Sequence, residues 1–254
     1  LHGGGHGERG GGFDRRSGAE AWRSLSASEP GYAPPTILEQ SGTRRILTWD
    51  ADTIAALDPL SGRPAWSVPL KPGYGMSIMA PQVATTSAGR VLFASGIGNV
   101  GALFRLGEGA PEPVWRNRAK GSIASANSTP MIVGDVLYGC DCETGFLTAV
   151  DLATGDRLWE TGAPTLAARR GRHGTAFIVR QGEDGDRFWL FAETGDLILA
   201  RLTPKAYEEL GRVHLLDPTG ECFGREVVWS HPAFAGGAVF ARNDRELVCV
   251  PLAE

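Results

Sequence analysis

The sequence predicts an all-β chain, a β-propeller of four-stranded antiparallel blades. Three observations support this prediction: glycine and proline separate short apolar runs, one long motif recurs, and tryptophans recur with it. The 35 glycines and 16 prolines are far more than a helical bundle tolerates. A period of about 40 to 50 residues is typical of stacked supersecondary units.

The recurring motif is A-x-D-x-x-x-G-x-x-x-W, and it is complete in Ala56–Trp66 and Ala149–Trp159. Glycine supplies the positive φ of a tight hairpin after the aspartate, and the returning strand carries the tryptophan. We expect each indole to pack between neighbouring sheets, since it buries a large apolar area there. A third copy without the alanine and a degenerate fourth copy occur at Asp14 to Trp22 and from Ala102 to Trp115.

Short apolar strands recur in the same order in five successive units. We assign these units to a propeller domain at 13–254, preceded by a flexible Gly/His-rich tail at 1–12. Residues 13–27 carry one extra strand, which belongs either to a blade that closes the ring or to a preceding blade. The chain is therefore either a closed five-unit ring or a fragment of a seven- or eight-bladed ring, and the leucine at position 1 favours the fragment. The predicted blades span about 31–70, 73–118, 120–165, 169–219 and 225–254.

One segment departs from the repeat and predicts a short helical insert. Thr203 precedes Pro204, and Gly211 follows a run without turn residues. Threonine at the N-cap, proline at the first position and glycine at the end are typical of a capped helical turn.

Charge and composition argue against two classes of function. A net charge of −4 and a pI near 5.8 leave no broad basic surface, so we predict no nucleic-acid partner. No run of about 18 uncharged apolar residues exists, so we predict no membrane span in this chain. The cysteines lack CxxC spacing, and we expect four unpaired side chains at Cys140, Cys142, Cys222 and Cys249.

The two complete motif copies resemble the pyrroloquinoline-quinone-type (PQQ-like) propeller repeat. That family includes quinoprotein alcohol dehydrogenases and a scaffold of the outer-membrane protein assembly machinery, so the resemblance implies a bacterial, exported protein in the periplasm or outside the cell. Its enzymes, as the resemblance implies, hold PQQ with Ca²⁺ and an aspartate base under a disulfide of adjacent cysteines. Here Asp141 separates Cys140 from Cys142, so we predict no cofactor and no metal site.

In a propeller, the loop that enters the first strand of each blade gathers with the loop between strands two and three, and ligands prefer such convergence. Three arginines and a histidine in Arg169–His173 predict a receptor for a carboxylate, phosphate or sulfate, although clustered charges are more often a solvated face. The ligand-binding candidates on these loops are Arg172, His173, His231, Asn127, Tyr74 and Asp141. Turn formation is the plainer interpretation of Asp141, and a satisfied turn histidine that of His231.

These features favour a non-catalytic binding or scaffolding propeller that holds a protein partner or a small anionic ligand on its loop face. We assign no catalytic residue. One alternative is a PQQ-dependent, quinoprotein alcohol dehydrogenase-like oxidoreductase with Ca²⁺. A further alternative is a hydrolase or lyase that uses His173 or His231.

Overall fold

The computed structural model describes residues 10–24, 26–116 and 122–252, and within these ranges the chain is built of strands and turns. One 3₁₀ turn, Gly73–Gly75, accompanies the strands. None of the described helical segments is long and apolar enough to cross a membrane. The all-β prediction is confirmed.

The first of two compact units holds the described residues up to Ala126, together with Ile132–Asp135 and Leu152–Asp156. It opens with a hairpin of β1 (Gly10–Phe13) and β2 (Glu20–Ser24). Blade one is an antiparallel meander of β3 (Thr36–Gln40), β4 (Thr43–Trp49), β5 (Thr53–Leu57) and β6 (Pro64–Pro69). Blade two repeats it with β7 (Gln82–Thr86), β8 (Gly89–Gly96), β9 (Val100–Arg105) and β10 (Glu112–Arg116).

The second unit holds Asn127–Met131, Val136–Asp151 and the chain from Arg157 onward. Blade three comprises β11 (Met131–Val133), β12 (Val136–Asp141), β13 (Phe146–Asp151) and β14 (Arg157–Thr161), and of these strands only Ile132 and Val133 of β11 belong to the first unit. Blade four comprises β15 (Ala176–Arg180), β16 (Arg187–Ala192), β17 (Asp196–Leu202) and β18 (Tyr207–His214). A hairpin of β19 (Gly220–Cys222) and β20 (Arg225–Val227) precedes a three-stranded blade five of β21 (Ala233–Ala235), β22 (Ala238–Arg242) and β23 (Leu247–Pro251).

Two expectations about local structure are corrected. Gly10–Gly12, assigned to the tail, form most of β1, and β2 pairs with them instead of standing as a single extra strand; residues 1–9 lie outside the described ranges. The helical insert is wrong, because Tyr207 and Glu208 pair with Leu202 and Arg201 across a strand hairpin. The Thr203 hydroxyl accepts hydrogen bonds from the Lys205 and Ala206 amides; threonine makes such bonds in a turn as readily as at a helix N-cap.

The aspartate and glycine of the motif form the last turn of the sheet as predicted. In blade one, the Asp58 carboxylate accepts the Leu60 and Ser61 amides at 3.1 and 2.8 Å. Gly62 has a φ of +68°, and a Cβ there would lie 2.3 Å from the Trp22 ring. Both the turn conformation and the neighbouring indole therefore require glycine at this position.

The motif tryptophans join successive sheets, as the sequence predicts. The Trp22 indole donates to the Pro59 carbonyl at 3.0 Å, and the Trp115 indole to the Leu152 carbonyl at 2.8 Å. The Trp159 indole donates to the Thr203 carbonyl at 2.8 Å. Each acceptor lies at or beside the turn before the last strand of the following blade, so the indole fastens one sheet to the next through a main-chain group.

Trp66 makes the same connection through a side chain. Its indole donates to Gln40 Oε1 at 2.8 Å, while Gln40 Nε2 donates to the carbonyls of Gly107 and Gly109 at 2.7 and 2.9 Å. The last hairpin of blade two is two residues longer than that of blade one, because Leu103 pairs with Trp115 whereas Ala56 pairs with Trp66. The buried Gln40 amide connects Trp66 with this longer turn.

Candidate functional site

The loop between β14 and β15 places His173 on the surface of the second unit in an unusual backbone conformation. Its φ is +59°, in the left-handed region that few residues other than glycine adopt, although asparagine, aspartate and histidine are enriched there. Its amide donates to the Cys142 carbonyl at 2.8 Å, and its carbonyl accepts the Thr175 hydroxyl at 2.9 Å. These bonds hold the loop so that the imidazole meets the β19–β20 hairpin.

Three aromatic rings meet at this point. The His173 ring lies parallel to the Phe223 ring, with 4.8 Å between centroids and 5° between planes. The Trp229 ring is 6.5 Å from His173 and 6.4 Å from Phe223. We call His173, Phe223 and Trp229 the aromatic platform. Phe223 remains 59% exposed, so the platform presents an apolar face to solvent.

The Phe223 backbone is also strained. Cys222 pairs with Arg225, so Phe223 and Gly224 form a two-residue turn with φ values of +51° and +71°. Such turns favour Asn-Gly, since the first position requires a positive φ. A bulky side chain in this conformation costs about 1–2 kcal/mol, and strained residues cluster at functional sites.

A buried carboxylate forms hydrogen bonds with the segments that carry the platform. Glu193, the residue that follows β16, is 2% exposed. It accepts hydrogen bonds from the Thr175 amide at 3.0 Å, the Arg225 guanidinium at 2.5 Å and the Trp229 indole at 3.0 Å. Arg225 also donates to the Arg172 carbonyl at 3.0 Å. One side chain therefore positions the hairpin, the loop and one ring of the platform.

The protonation of His173 and the exposed charge of Arg172 are compatible with binding of a protein partner at the platform. Burial lowers the pKa of His173 against the raising effect of the Glu143 and Glu193 carboxylates, and Arg172 and Arg225 act in the same direction as burial. The neutral imidazole is therefore favoured. The exposed Arg172 guanidinium is 3.8 Å from the Glu143 carboxylate. A neutral aromatic face beside an exposed arginine is a common composition for a protein-binding hot spot.

The structure brings together three of the predicted site residues. Arg172 and His173 are neighbours at the platform, and the Asn127 amide donates to the Thr175 hydroxyl at 3.1 Å. Thr175 in turn bonds the His173 carbonyl. Asn127 therefore supports the loop that carries His173.

The other predicted residues lie elsewhere. Asp141 is buried and bound by Arg157 at 2.5 Å and by the Thr144 hydroxyl at 3.1 Å, which supports the turn-forming interpretation. The His231 ring packs on Phe177 with 4.1 Å between centroids, and burial lowers its pKa. Tyr74 belongs to the first unit, where it is 86% exposed with a φ of +59°.

Two arginines of the Arg169–His173 segment form ion pairs with carboxylates. The Arg170 guanidinium bonds Glu160 and lies 5.4 Å from the centre of the Phe146 ring. Arg172 faces Glu143. An anion would compete with both carboxylates, so the small anionic ligand stays a prediction.

The cysteines do not fit the quinone site that the resemblance implies. All four are unpaired, as predicted, although Cys249 is exposed. Burial raises the pKa of both Cys140 and Cys142 to about 12, and Cys140 Sγ accepts the Ala176 amide at 3.2 Å. The two thiols are packed in the sheets and are not adjacent in the sequence. Across the described residues, no group of three metal-ligating side chains converges.

Sequence reasoning missed Phe223, Trp229, Arg225 and Glu193, the centre of the site. Phe223-Gly224 is a weak hairpin signal, because the residue before glycine is usually asparagine or aspartate. Trp229 lies outside the motif register. Glu193 is adjacent to Arg225 only in the folded chain.

Comparison with known proteins supports the fold. A family model described as outer membrane protein assembly factor BamB matches residues 50–254. The structure of BamB from Moraxella catarrhalis shares 19% identity at a TM-score of 0.58, covering 97% of this chain and 65% of its own. The chain therefore spans less than two thirds of the length of that relative.

Two further solved structures are similar in fold. One is the mitotic checkpoint complex, at 12% identity and a TM-score of 0.59, covering 98% of this chain and 70% of the matched one. The other is the β-propeller domain of Cps50 (Swd1) from Myceliophteria thermophila, at 14% identity and a TM-score of 0.55, covering 93% and 74%. No curated protein matches the chain by sequence.

Proposed function

The chain belongs to the PQQ-like propeller family of the outer membrane protein assembly factor BamB, and from this premise we propose that it is a non-catalytic scaffold that binds a protein partner. We place the partner on the aromatic platform. The family description supports a role in outer-membrane protein assembly and hence a periplasmic location for this chain.

One observation carries the proposal: an exposed phenylalanine occupies a turn position where its backbone is strained. Asparagine would relieve the strain, and burial does not explain the phenylalanine. Aromatic and arginine side chains dominate binding energy at protein interfaces. A ring already fixed by His173, Trp229 and the Glu193 network loses little entropy on binding.

No observation favours the PQQ-dependent alternative, which stays a prediction. The hydrolase or lyase alternative would need a nucleophile within hydrogen-bond reach of a histidine. The His173 ring stacks on Phe223 and the His231 ring packs on Phe177, and these contacts support binding and packing for the two rings.

Photo-crosslinking from position 223 tests the proposal. We expect a photoreactive phenylalanine analogue at position 223, expressed in the source cell, to yield a discrete adduct with one protein. The same analogue at Leu60 serves as the control, since Leu60 is 88% exposed in a turn of the first unit and is expected to yield none. Equal adducts at both positions, or none at position 223, would contradict the proposal.

Phe223→Asn separates binding from folding. Asparagine removes the strain but loses the contact with His173, worth about 0.5–1.5 kcal/mol, so we expect the free energy of unfolding to change by less than about 1 kcal/mol. Affinity for the crosslinked partner is expected to fall by about tenfold or more. Urea unfolding and titration with the purified partner measure the two quantities, with Leu60→Asn as the matched control. Unchanged affinity would show that Phe223 makes no binding contact.

A further inference from the structure

His214, the last residue of β18, lies between two carboxylates. Its Nδ1 is 2.8 Å from Asp196 Oδ1, and its Nε2 is 3.0 Å from Asp217 Oδ1. Ionised carboxylates only accept hydrogen bonds, and a neutral imidazole donates from one nitrogen alone. Both bonds therefore form only when His214 is protonated.

The charged groups around His214 favour the proton. The hydrogen bonds that His214 donates to Asp196 and, second, to Asp217 raise the pKa of His214 against the opposing effect of burial. Arg212 donates to Asp196 at 2.9 Å and also pairs with Glu209. Burial alone would raise the pKa of Asp196, but bonds from His214, Arg212 and Thr194 together lower it, so its carboxylate is ionised wherever His214 titrates.

His214 begins the link between blade four and the β19–β20 hairpin. The Leu215 amide donates to the Gly195 carbonyl at 3.0 Å. A Cβ on Gly195 would lie 1.8 Å from the buried Leu216 carbonyl oxygen. The Asp217 carbonyl accepts the Asn243 amide at 2.9 Å. The link is thus packed against the β16–β17 turn, and it leads directly to the hairpin that carries Phe223.

We propose that His214 is a pH-sensitive latch, which in its protonated form fastens residues 214–217 to Asp196 and so holds the β19–β20 hairpin in the geometry of the aromatic platform. The inference rests on the proposed function only for its consequence, the control of partner binding. The latch itself is a property of the chain alone.

The sign of the pH dependence follows from the raised pKa of His214. A group whose pKa is raised by folding contributes stability fully below its unfolded value, about 6.5. That contribution is lost as the pH rises through the folded pKa. The link and hairpin are therefore held more firmly in mildly acidic than in alkaline solution.

Hydrogen–deuterium exchange on the isolated protein tests the latch. After correction for intrinsic exchange, protection of the amides from 214 to 227 is expected to fall roughly two- to fivefold between pH 5.5 and pH 8, as for an exposed ion pair. His214→Gln is expected to remove this pH dependence, and Asp196→Asn to lower the pKa of His214 measured by NMR. His231→Gln is the matched control, since the pKa of His231 is lowered and its loss should leave the pH dependence unchanged.

Two results would overturn the proposal: an unchanged pH dependence in His214→Gln, or a pKa of His214 in the wild type at or below 6.5. Neither result bears on the crosslink from position 223. A missing crosslink, in turn, leaves the exchange experiment intact, so the two proposals fail separately.

Discussion

Replacing Glu193 by leucine is expected to lower the free energy of unfolding by about 3 kcal/mol. The substitution removes the acceptor of the Thr175 amide, the Arg225 guanidinium and the Trp229 indole together. Removing one partner of a buried ion pair costs about 3–5 kcal/mol. The lower end applies because the Arg225 side chain is 23% exposed, so water recovers part of its solvation.

Urea unfolding measures this loss, and Glu193→Gln is the control. Glutamine keeps the shape and one acceptor oxygen, so it is expected to lose about half as much. The leucine variant should also weaken the partner crosslink from position 223, since Glu193 positions both the hairpin and Trp229. A stability within about 0.5 kcal/mol of the wild type, the range of ordinary surface substitutions, would contradict the role assigned to Glu193.

The fold was predictable from the sequence because its signals are local and repeated. The Asp58–Gly62 turn and the spacing to Trp66 lie within eleven residues, and a second copy ends at Trp159. One of the two corrected expectations, the helix at Thr203–Gly211, arose where a local signal is ambiguous. Threonine followed by proline opens a turn as well as a helix, and only pairing with β17 decides between them.

The candidate site was only half predictable. Arg172 and His173 stand out as polar residues before a strand, whereas Glu193, Phe223 and Trp229 come from three later segments with no shared motif. Their meeting depends on a hairpin inserted between blades four and five. Such a contact joins residues distant in sequence, and a single sequence does not record it.

Gln40→Leu is expected to lower the free energy of unfolding by about 2 kcal/mol, because it deprives the Trp66 indole and the carbonyls of Gly107 and Gly109 of their partner. An unsatisfied buried polar group costs about 1–3 kcal/mol, and the two carbonyls regain part of this from water. Gln82→Leu is the matched control, since the Gln82 amide donates to the Ala80 carbonyl two residues away.

The Gln40 prediction also tests why blade one and blade two stay joined. If the indole alone carried the contact, Gln40→Leu would unfold at the same urea concentration as Gln82→Leu. If the amide connects Trp66 to the longer turn of blade two, Gln40→Leu is the less stable variant, and exchange of the Gly107 to Glu112 amides rises with it. The indoles of Trp22, Trp115 and Trp159 each donate directly to a main-chain carbonyl. Among the four motif tryptophans, only Trp66 contacts the neighbouring turn through a side chain, so only its contact should depend on a residue such as Gln40.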